Sequence, residues 1–493
     1  DGVNNTLSYG RGYASAFIEW AVYVRNTKYT FSEDKIRHLI DYFLDGICKT
    51  AVFGKYPDAG AKNRSFSRPG ALHPFSSEPA EKLLLTTTYR EKEIEEIAAI
   101  RDKGKNPTLS HATFYWHSEH FTFQRLEFFA SVRMYSTRNH NMEQPYNREG
   151  LLNHHRGDGA NHISLSGTEY ADIAPVFDYQ KVPGATIVQK QELPAANQIQ
   201  KIGLTDFVGA ATDGSYAAVG FDFKSPHDHL IARKAWFFFD DAYVCLGAGI
   251  SCKKDLPVVT TLNQCLLRNE ITISKGNKKS VIGKGENKFE NVDWVFQDGI
   301  GYVFPEPSAV NIKNDQSTGS WWKINKQSDT PKSEITMDVF HAWVDHGKSP
   351  ANESYEYIVV PATTVETLEQ NTSKNNIEIM ANTPELQAVK HAGLHMIQAV
   401  FYKAGKIQLS EKLTLRCHSP GIILIALEND SIKQMTVADP NRELSRMHLS
   451  LSANIENQAP NFLSVWNERK GWSESCIELP QGVYAGSSIT INL

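Results

Sequence analysis

Between residues 133 and 159 the chain concentrates side chains that can bind and polarise a charged ligand. The run is Arg133-Met-Tyr-Ser-Thr-Arg138-Asn139-His140-Asn141-Met142-Glu143, then Asn147-Arg148-Glu149-Gly150, then His155-Arg156-Gly157-Asp158-Gly159. So many hydrogen-bonding groups are costly to bury without partners, and the run reads as the floor of a site for a polar, charged molecule, with a solvated loop as the alternative. A second segment, 54–77, carries Lys55, Lys62, Arg64 and Arg68 against a lone acid, Asp58. Guanidiniums four residues apart suit two planar forks that grip anionic groups, although a solvated basic loop is again the alternative. Glu143 and Glu149 could be the two acids of a glycoside hydrolase, but nothing else in the sequence supports that pairing.

These groups need a scaffold. Residues 1 to about 105 read as helical. In 32–53, Ile36, Leu39, Ile40, Phe43, Leu44, Ile47 and Cys48 recur on one helix face, with Ser32 as N-cap and Glu33 and Asp34 in the first turn. Tyr13–Arg25 and about Glu81–Arg101 are the other helical stretches. The 54–77 connection, with Pro57, Pro69 and Pro74, is the long loop between the last two, and loops of that length are usually functional or disordered. From about 106 onward short β-like runs dominate, such as Ala235–Phe239, Tyr243–Gly247, Tyr357–Pro361, Leu413–Cys417, Ile422–Leu427 and Ser488–Leu493. The expected fold class is therefore α+β: helices in 1–105, a large stacked antiparallel β-sandwich region in 106–383, and a smaller β-domain in 384–493 after a break near Pro384.

The 493 residues, 41% apolar and 22% charged, describe a globular chain with a large core. The net charge of −5 argues against a nucleic-acid binder and leaves room for a local basic site. No apolar run approaches the ~18 residues of a membrane span. Six cysteines without a CxxC pair argue against a zinc or redox motif; buried thiols and one or two disulfides both remain open.

Taken in order, several strings resemble polysaccharide lyase family 8, the chondroitin AC and hyaluronan lyases. They are Leu7-Ser-Tyr9-Gly10, Arg64-Ser-Phe-Ser-Arg68-Pro69, Ser136-Thr-Arg138-Asn139, Asn141-Met-Glu143, Asn147-Arg-Glu149 and Gly157-Asp-Gly159. Glu169-Tyr, Pro175-Val-Phe-Asp178-Tyr, Lys234-Ala-Trp-Phe-Phe-Phe-Asp240 and Val244-Cys-Leu-Gly-Ala-Gly249 follow. The likeness spans the chain and is nearest to the chondroitin AC type. It implies an incomplete α/α toroid followed by β-sandwiches, with the cleft between them. It also implies β-elimination at a uronic acid: a base removes the C5 proton, the C4–O bond breaks, and an unsaturated uronic acid results. By resemblance Tyr9 is that base and also the acid. A phenol ordinarily titrates near 10, and a neighbouring guanidinium favours its phenolate. Arg64 aligns with the catalytic arginine, Arg68 with a second, substrate-binding arginine, Glu143 with the acid that orients the arginine, and Asn147 with a substrate-contacting asparagine. Arg138, Asn139 and Glu149 are further expected substrate contacts, Glu149 being the competing acid.

The match departs in two places. The family's catalytic histidine falls immediately before Asp1, and its carboxylate-neutralising asparagine and aromatic patch lie further upstream. None of His140, His154, His155 or His162 occupies the histidine's place. The expectation is a fragment of a longer lyase, or a chain completed by a separate N-terminal helical segment. Some relatives bind calcium after the Pro-Val string; here only Asp178 survives as a strong ligand and Val188-Gln-Lys190 offers no carboxylate, so no cofactor is expected. The expected partner is an anionic polysaccharide, and the expected location is secreted or periplasmic, in a bacterium, because such polymers are degraded outside the cytoplasm. Other readings are a carbohydrate-binding protein on the same scaffold, and a lyase for another uronate polymer such as xanthan or alginate. Arg156-Gly-Asp158 reads as a loop element, not an adhesion motif.

Overall fold

The computed structural model describes residues 2–102, 104, 106–276, 278–372, 376–429, 431–455 and 457–493. Lys105, the last residue of the expected helical part, lies outside them. A short π-helical turn, Thr6–Gly10, runs straight into helix α1, Arg11–Val24. Helix α2, Glu33–Asp41, continues into a π-helical stretch, Tyr42–Cys48, and every apolar residue expected on its face is buried. Each such side chain contributes about 1.5–3 kcal/mol when fully withdrawn from water. Ser32 stands at the N-cap without a side-chain hydrogen bond into the helix.

The single helix expected over 81–101 is two, α3, Glu78–Leu84, and α4, Glu91–Asp102. The β-branched run Thr86-Thr87-Thr88 disfavours helix, and Arg90 takes a left-handed φ of 53°. Ile94, Ile97 and Ile100 still face inward. The 54–77 segment is ordered rather than a solvated loop: Asp58 and Asn63 are buried, and a 3-10 turn spans Arg64–Ser67.

Beyond the helices the chain is antiparallel sheet. Four strands, His111–Tyr115, His120–Gln124, Phe129–Arg133 and Ala160–Ser164, pair in sequence order. Arg133 pairs directly with Ala160, so the polar run 134–159 is a long excursion between two neighbouring strands. Among the described residues a twelve-stranded sheet lies between Thr186 and Val360, and two six-stranded sheets follow. Phe237, Val244 and Leu246 of the large sheet pack against Val400, Ile422 and Leu424 of one six-stranded sheet, and a separate core fills the space between the two smaller sheets. The C-terminal sheets begin earlier than the expected 384: strand Ile377–Asn382 pairs with Leu386–His391, and Pro384 sits in the turn between them. All six cysteines are unbridged, five of them buried.

Candidate active site

The first turn of the chain, the 54–77 segment and the 134–159 excursion converge. Tyr9 sits on the π-helical turn with its side chain mostly in solvent. The turn is clamped from below: Lys62 Nζ donates to the Leu7 carbonyl at 3.2 Å, and Asn63 Nδ2 donates to the Asn4 carbonyl at 2.9 Å and to Asn5 Oδ1 at 2.6 Å. Burial, with Arg11 and Arg68 nearby, lowers the Lys62 ammonium to about 8.

Arg64 is the hub. Its Nη2 donates to the Tyr9 hydroxyl at 2.5 Å, and its Nε faces Glu143 Oε1 at 3.3 Å. Both Arg64 and Glu143 side chains are largely shielded. Burial raises the Glu143 carboxyl above the usual range, while the Arg64 guanidinium, the Arg64 backbone amide and the Arg133 guanidinium pull it back down. Arg133 is itself buried, which lowers it to about 10, and donates to the Gly60 carbonyl at 3.0 Å. A phenol on a guanidinium, held in turn by a carboxylate, is an arrangement that can take a proton from carbon and stabilise the charge that develops.

Four residues on, Arg68 does something different. It forms a two-pronged pair with Glu149, Nε to Oε1 at 2.8 Å and Nη2 to Oε2 at 2.9 Å. Half of the Arg68 side chain is in solvent, whereas Glu149 is 1% exposed. That hydrogen bonding raises the Arg68 guanidinium further. Glu149 is pinned by backbone pairing with Asn325. It therefore positions Arg68 and is not itself an open substrate contact, a correction of the expectation. It also argues against a two-acid hydrolase, because Glu143 and Glu149 are each buried against an arginine. Gly150, at φ +67°, lets this strand pass Arg64; a Cβ there would stand 2.8 Å from the Arg64 Cα. Asn147 lies beside this pair, its carbonyl accepting from Gln327 Nε2 at 3.1 Å and its buried Oδ1 without a partner.

Arg138 and Asn139, expected among the substrate contacts, are turned elsewhere. Arg138 Nη2 and Nε donate to the buried Glu119 Oε1 at 2.7 and 3.1 Å, and Nη2 reaches the Pro440 carbonyl at 3.2 Å. Asn139 is buried and its Oδ1 accepts from the Ser136 amide at 2.9 Å. Arg138 ties the excursion to its surroundings because Glu119, buried beneath, needs a cation, whereas Asn139 closes a turn within the excursion itself. His154, His155 and His162 are buried. Arg156 is 1% exposed with its guanidinium 3.7 Å from the Phe66 ring centre, so the Arg-Gly-Asp tripeptide is interior. Asp178 Oδ2 is taken by Lys181 Nζ at 3.0 Å and Oδ1 by the Gln180 amide at 2.9 Å. Sequence reasoning named Lys62 and Arg133 among the charged groups without a role and missed Asn63; what they do depends on contacts between distant segments.

A helical segment thus leads into stacked antiparallel sheets, with a phenol, two arginines and two carboxylates at their junction. Comparison with known proteins makes this specific. Residues 110–372 match the polysaccharide lyase family 8 super-sandwich domain and 378–448 its C-terminal beta-sandwich domain. Chondroitinase-AC of Pedobacter heparinus is 31% identical over 98% of the chain and 67% of its own length. Hyaluronate lyase of Thermasporomyces composti is 30% identical over 62% of the chain and 39% of its own length, and xanthan lyase of a Bacillus species 29% over 57% and 31%. A solved chondroitinase AC lyase superposes with a TM-score of 0.87 at 30% identity, covering 98% of this chain and 69% of that one. The chain belongs to polysaccharide lyase family 8, and it spans between about a third and two thirds of the length of these curated relatives.

Proposed function

We propose that the chain forms the catalytic junction of a lyase that cleaves chondroitin- or hyaluronan-type glycosaminoglycans by β-elimination. The Tyr9 phenol, as phenolate, takes the C5 proton of the uronic acid. The C5–H electrons form the C4=C5 double bond, the C4–O bond breaks, and Tyr9 returns its proton to the departing oxygen. Arg64 holds the phenolic oxygen and stabilises its charge, and Glu143 fixes Arg64. Arg68 keeps N–H groups outward beside its bond to Glu149, where they can meet an anionic sugar group, with Asn147, whose unpartnered Oδ1 is buried, beside them as the second expected sugar contact. A polymeric substrate places the enzyme outside the cytoplasm, secreted or periplasmic.

The observation that carries this reading is the continuous Tyr9–Arg64–Glu143 contact, together with family membership. The test is to incubate the full-length protein with chondroitin, chondroitin sulfate, hyaluronan and xanthan and to follow near-ultraviolet absorbance. Growth of absorbance from an unsaturated uronate supports the lyase. New reducing ends without it would mean hydrolysis, and binding without any cleavage would mean a carbohydrate-binding protein.

A further inference from the structure

Against the Arg68–Glu149 side of the site lies a compact loop, 320–332. It begins with a single helical turn, α5, Trp321–Ile324, whose Ser320 cap accepts from the Trp322 amide at 3.1 Å. Trp321 and Ile324 are buried anchors. The loop closes on itself through Ser320 Oγ to the Lys332 carbonyl, 3.4 Å, and the Thr330 amide to the Gln327 carbonyl, 3.2 Å. It is bolted to the site by the Asn325–Glu149 pairing and by the Lys326 amide donating to the Arg148 carbonyl at 2.9 Å.

The loop carries three lysines, Lys323, Lys326 and Lys332, against one acid, Asp329. Lys326 Nζ and Lys332 Nζ lie over the same Trp322 ring, 4.6 and 4.7 Å from its centre. Neither lysine has a carboxylate partner among the described residues, and the same is true of Lys323 and of the exposed Arg148. Lys323 also lines a cleft of about 320 Å³ with Lys181, Lys313 and His341 and with two acids, Asp178 and Glu286. In that cleft Glu286 stands directly across the strand pair from Lys313 and Asp178 is bound to Lys181, so of its lysines Lys323 alone lacks a facing acid among the described residues. His341 Nε2 is engaged with Gln264 Oε1 at 2.8 Å, leaving a buried Nδ1 without a partner. In a chain of net charge −5 the loop's three lysines, facing one loop acid, Asp329, and backed by Arg148, are a local positive field. Like charges held together on a rigid loop repel one another, and an anion between them relieves that repulsion.

We propose that the 320–332 loop is an outer subsite for the same anionic polysaccharide, beyond the sugar that is cleaved. Lys326 and Lys332, presented on Trp322, take carboxylate or sulfate groups of the polymer, and the cleft past Lys323 receives the next stretch of chain. The occupant follows from charge complementarity and from continuity with Arg68 and Asn147. The inference rests on the glycosaminoglycan reading of the main site.

The test compares the full-length protein with its Lys326→Gln/Lys332→Gln variant. Binding of polymeric chondroitin sulfate and of an unsaturated chondroitin disaccharide is measured by calorimetry at low and moderate salt. The subsite predicts about tenfold weaker polymer binding at low salt, a gap that closes as salt screens the lysines, and unchanged disaccharide affinity. If the double variant does not fold, the single variants decide, each expected to lose about threefold. Equal polymer affinity for parent and variant overturns the subsite alone, while polymer cleavage by both leaves the lyase reading intact. A parent that binds no polymer at either salt overturns both.

Discussion

Arg64 and Arg68, one turn apart, have different duties because their partners differ. Arg64 is spanned between the Tyr9 hydroxyl and Glu143 and is nearly enclosed, whereas Arg68 is anchored at one edge by Glu149 and open at the other. Replacing Glu143 by Gln keeps the shape and removes the charge that fixes Arg64. The expected outcome is a loss of about a hundredfold in kcat for the full-length enzyme, read from initial rates. The Arg68–Glu149 pair predicts an asymmetry in stability. Arg68→Ala strands a carboxylate that is 1% exposed and is expected to cost about 3 kcal/mol. Glu149→Gln leaves an arginine that water can reach and is expected to cost about 1 kcal/mol. Urea unfolding midpoints of the two variants check the order.

At the scale of elements, the π-helical turn that carries Tyr9 is held by close packing as well as by hydrogen bonds. A Cβ on Gly10 would run into the Tyr42 hydroxyl, so at the place where the turn meets α2's continuation any side chain makes Tyr42 shift. Gly10→Ala is therefore expected to displace Tyr9 and cut activity by about tenfold or more, because small misplacements of a reacting group are costly. Adding Tyr42→Phe, which removes the offending oxygen, should restore part of it; the assay is kcat for the single and double variants. Much of this level was legible in the sequence. The apolar face of α2 and the strand runs showed through their periodicity, and the excursion from Arg133 to Ala160 showed through its polar density between two β-like segments. What did not show was the use of that density. Arg138 and Asn139 look like ligand contacts by type, but they serve Glu119 and the Ser136 backbone, partners chosen only when the strands fold together. Glu149 likewise became a support for Arg68 because Asn325, far along the chain, pairs beside it. The break between α3 and α4 was hidden because Leu84, Tyr89 and Ile94 place apolar residues on both sides of Thr86-Thr87-Thr88.

At the scale of the whole molecule, the junction of helices and sheets is filled with polar groups withdrawn from water. Burial lowers His111 and His162 to about 3 and His154, His227 and His346 to about 4. In the unfolded chain these imidazoles titrate near 6.5. Between the two values the unfolded state binds protons that the folded state refuses, so stability is full above about pH 6.5 and is lost as pH falls toward 4. Melting temperature measured from pH 8 to 4 is expected to hold and then decline through that window. Replacing His162 by Gln should flatten the decline.

The account stands on Tyr9 as the group that removes the proton. The most direct measurement is the rate of unsaturated product formation by full-length Tyr9→Phe on chondroitin, alongside its affinity for the polymer. The account predicts a fall in kcat of about a thousandfold with affinity within about twofold of the parent. A variant that retains a rate within about tenfold of the parent would contradict it.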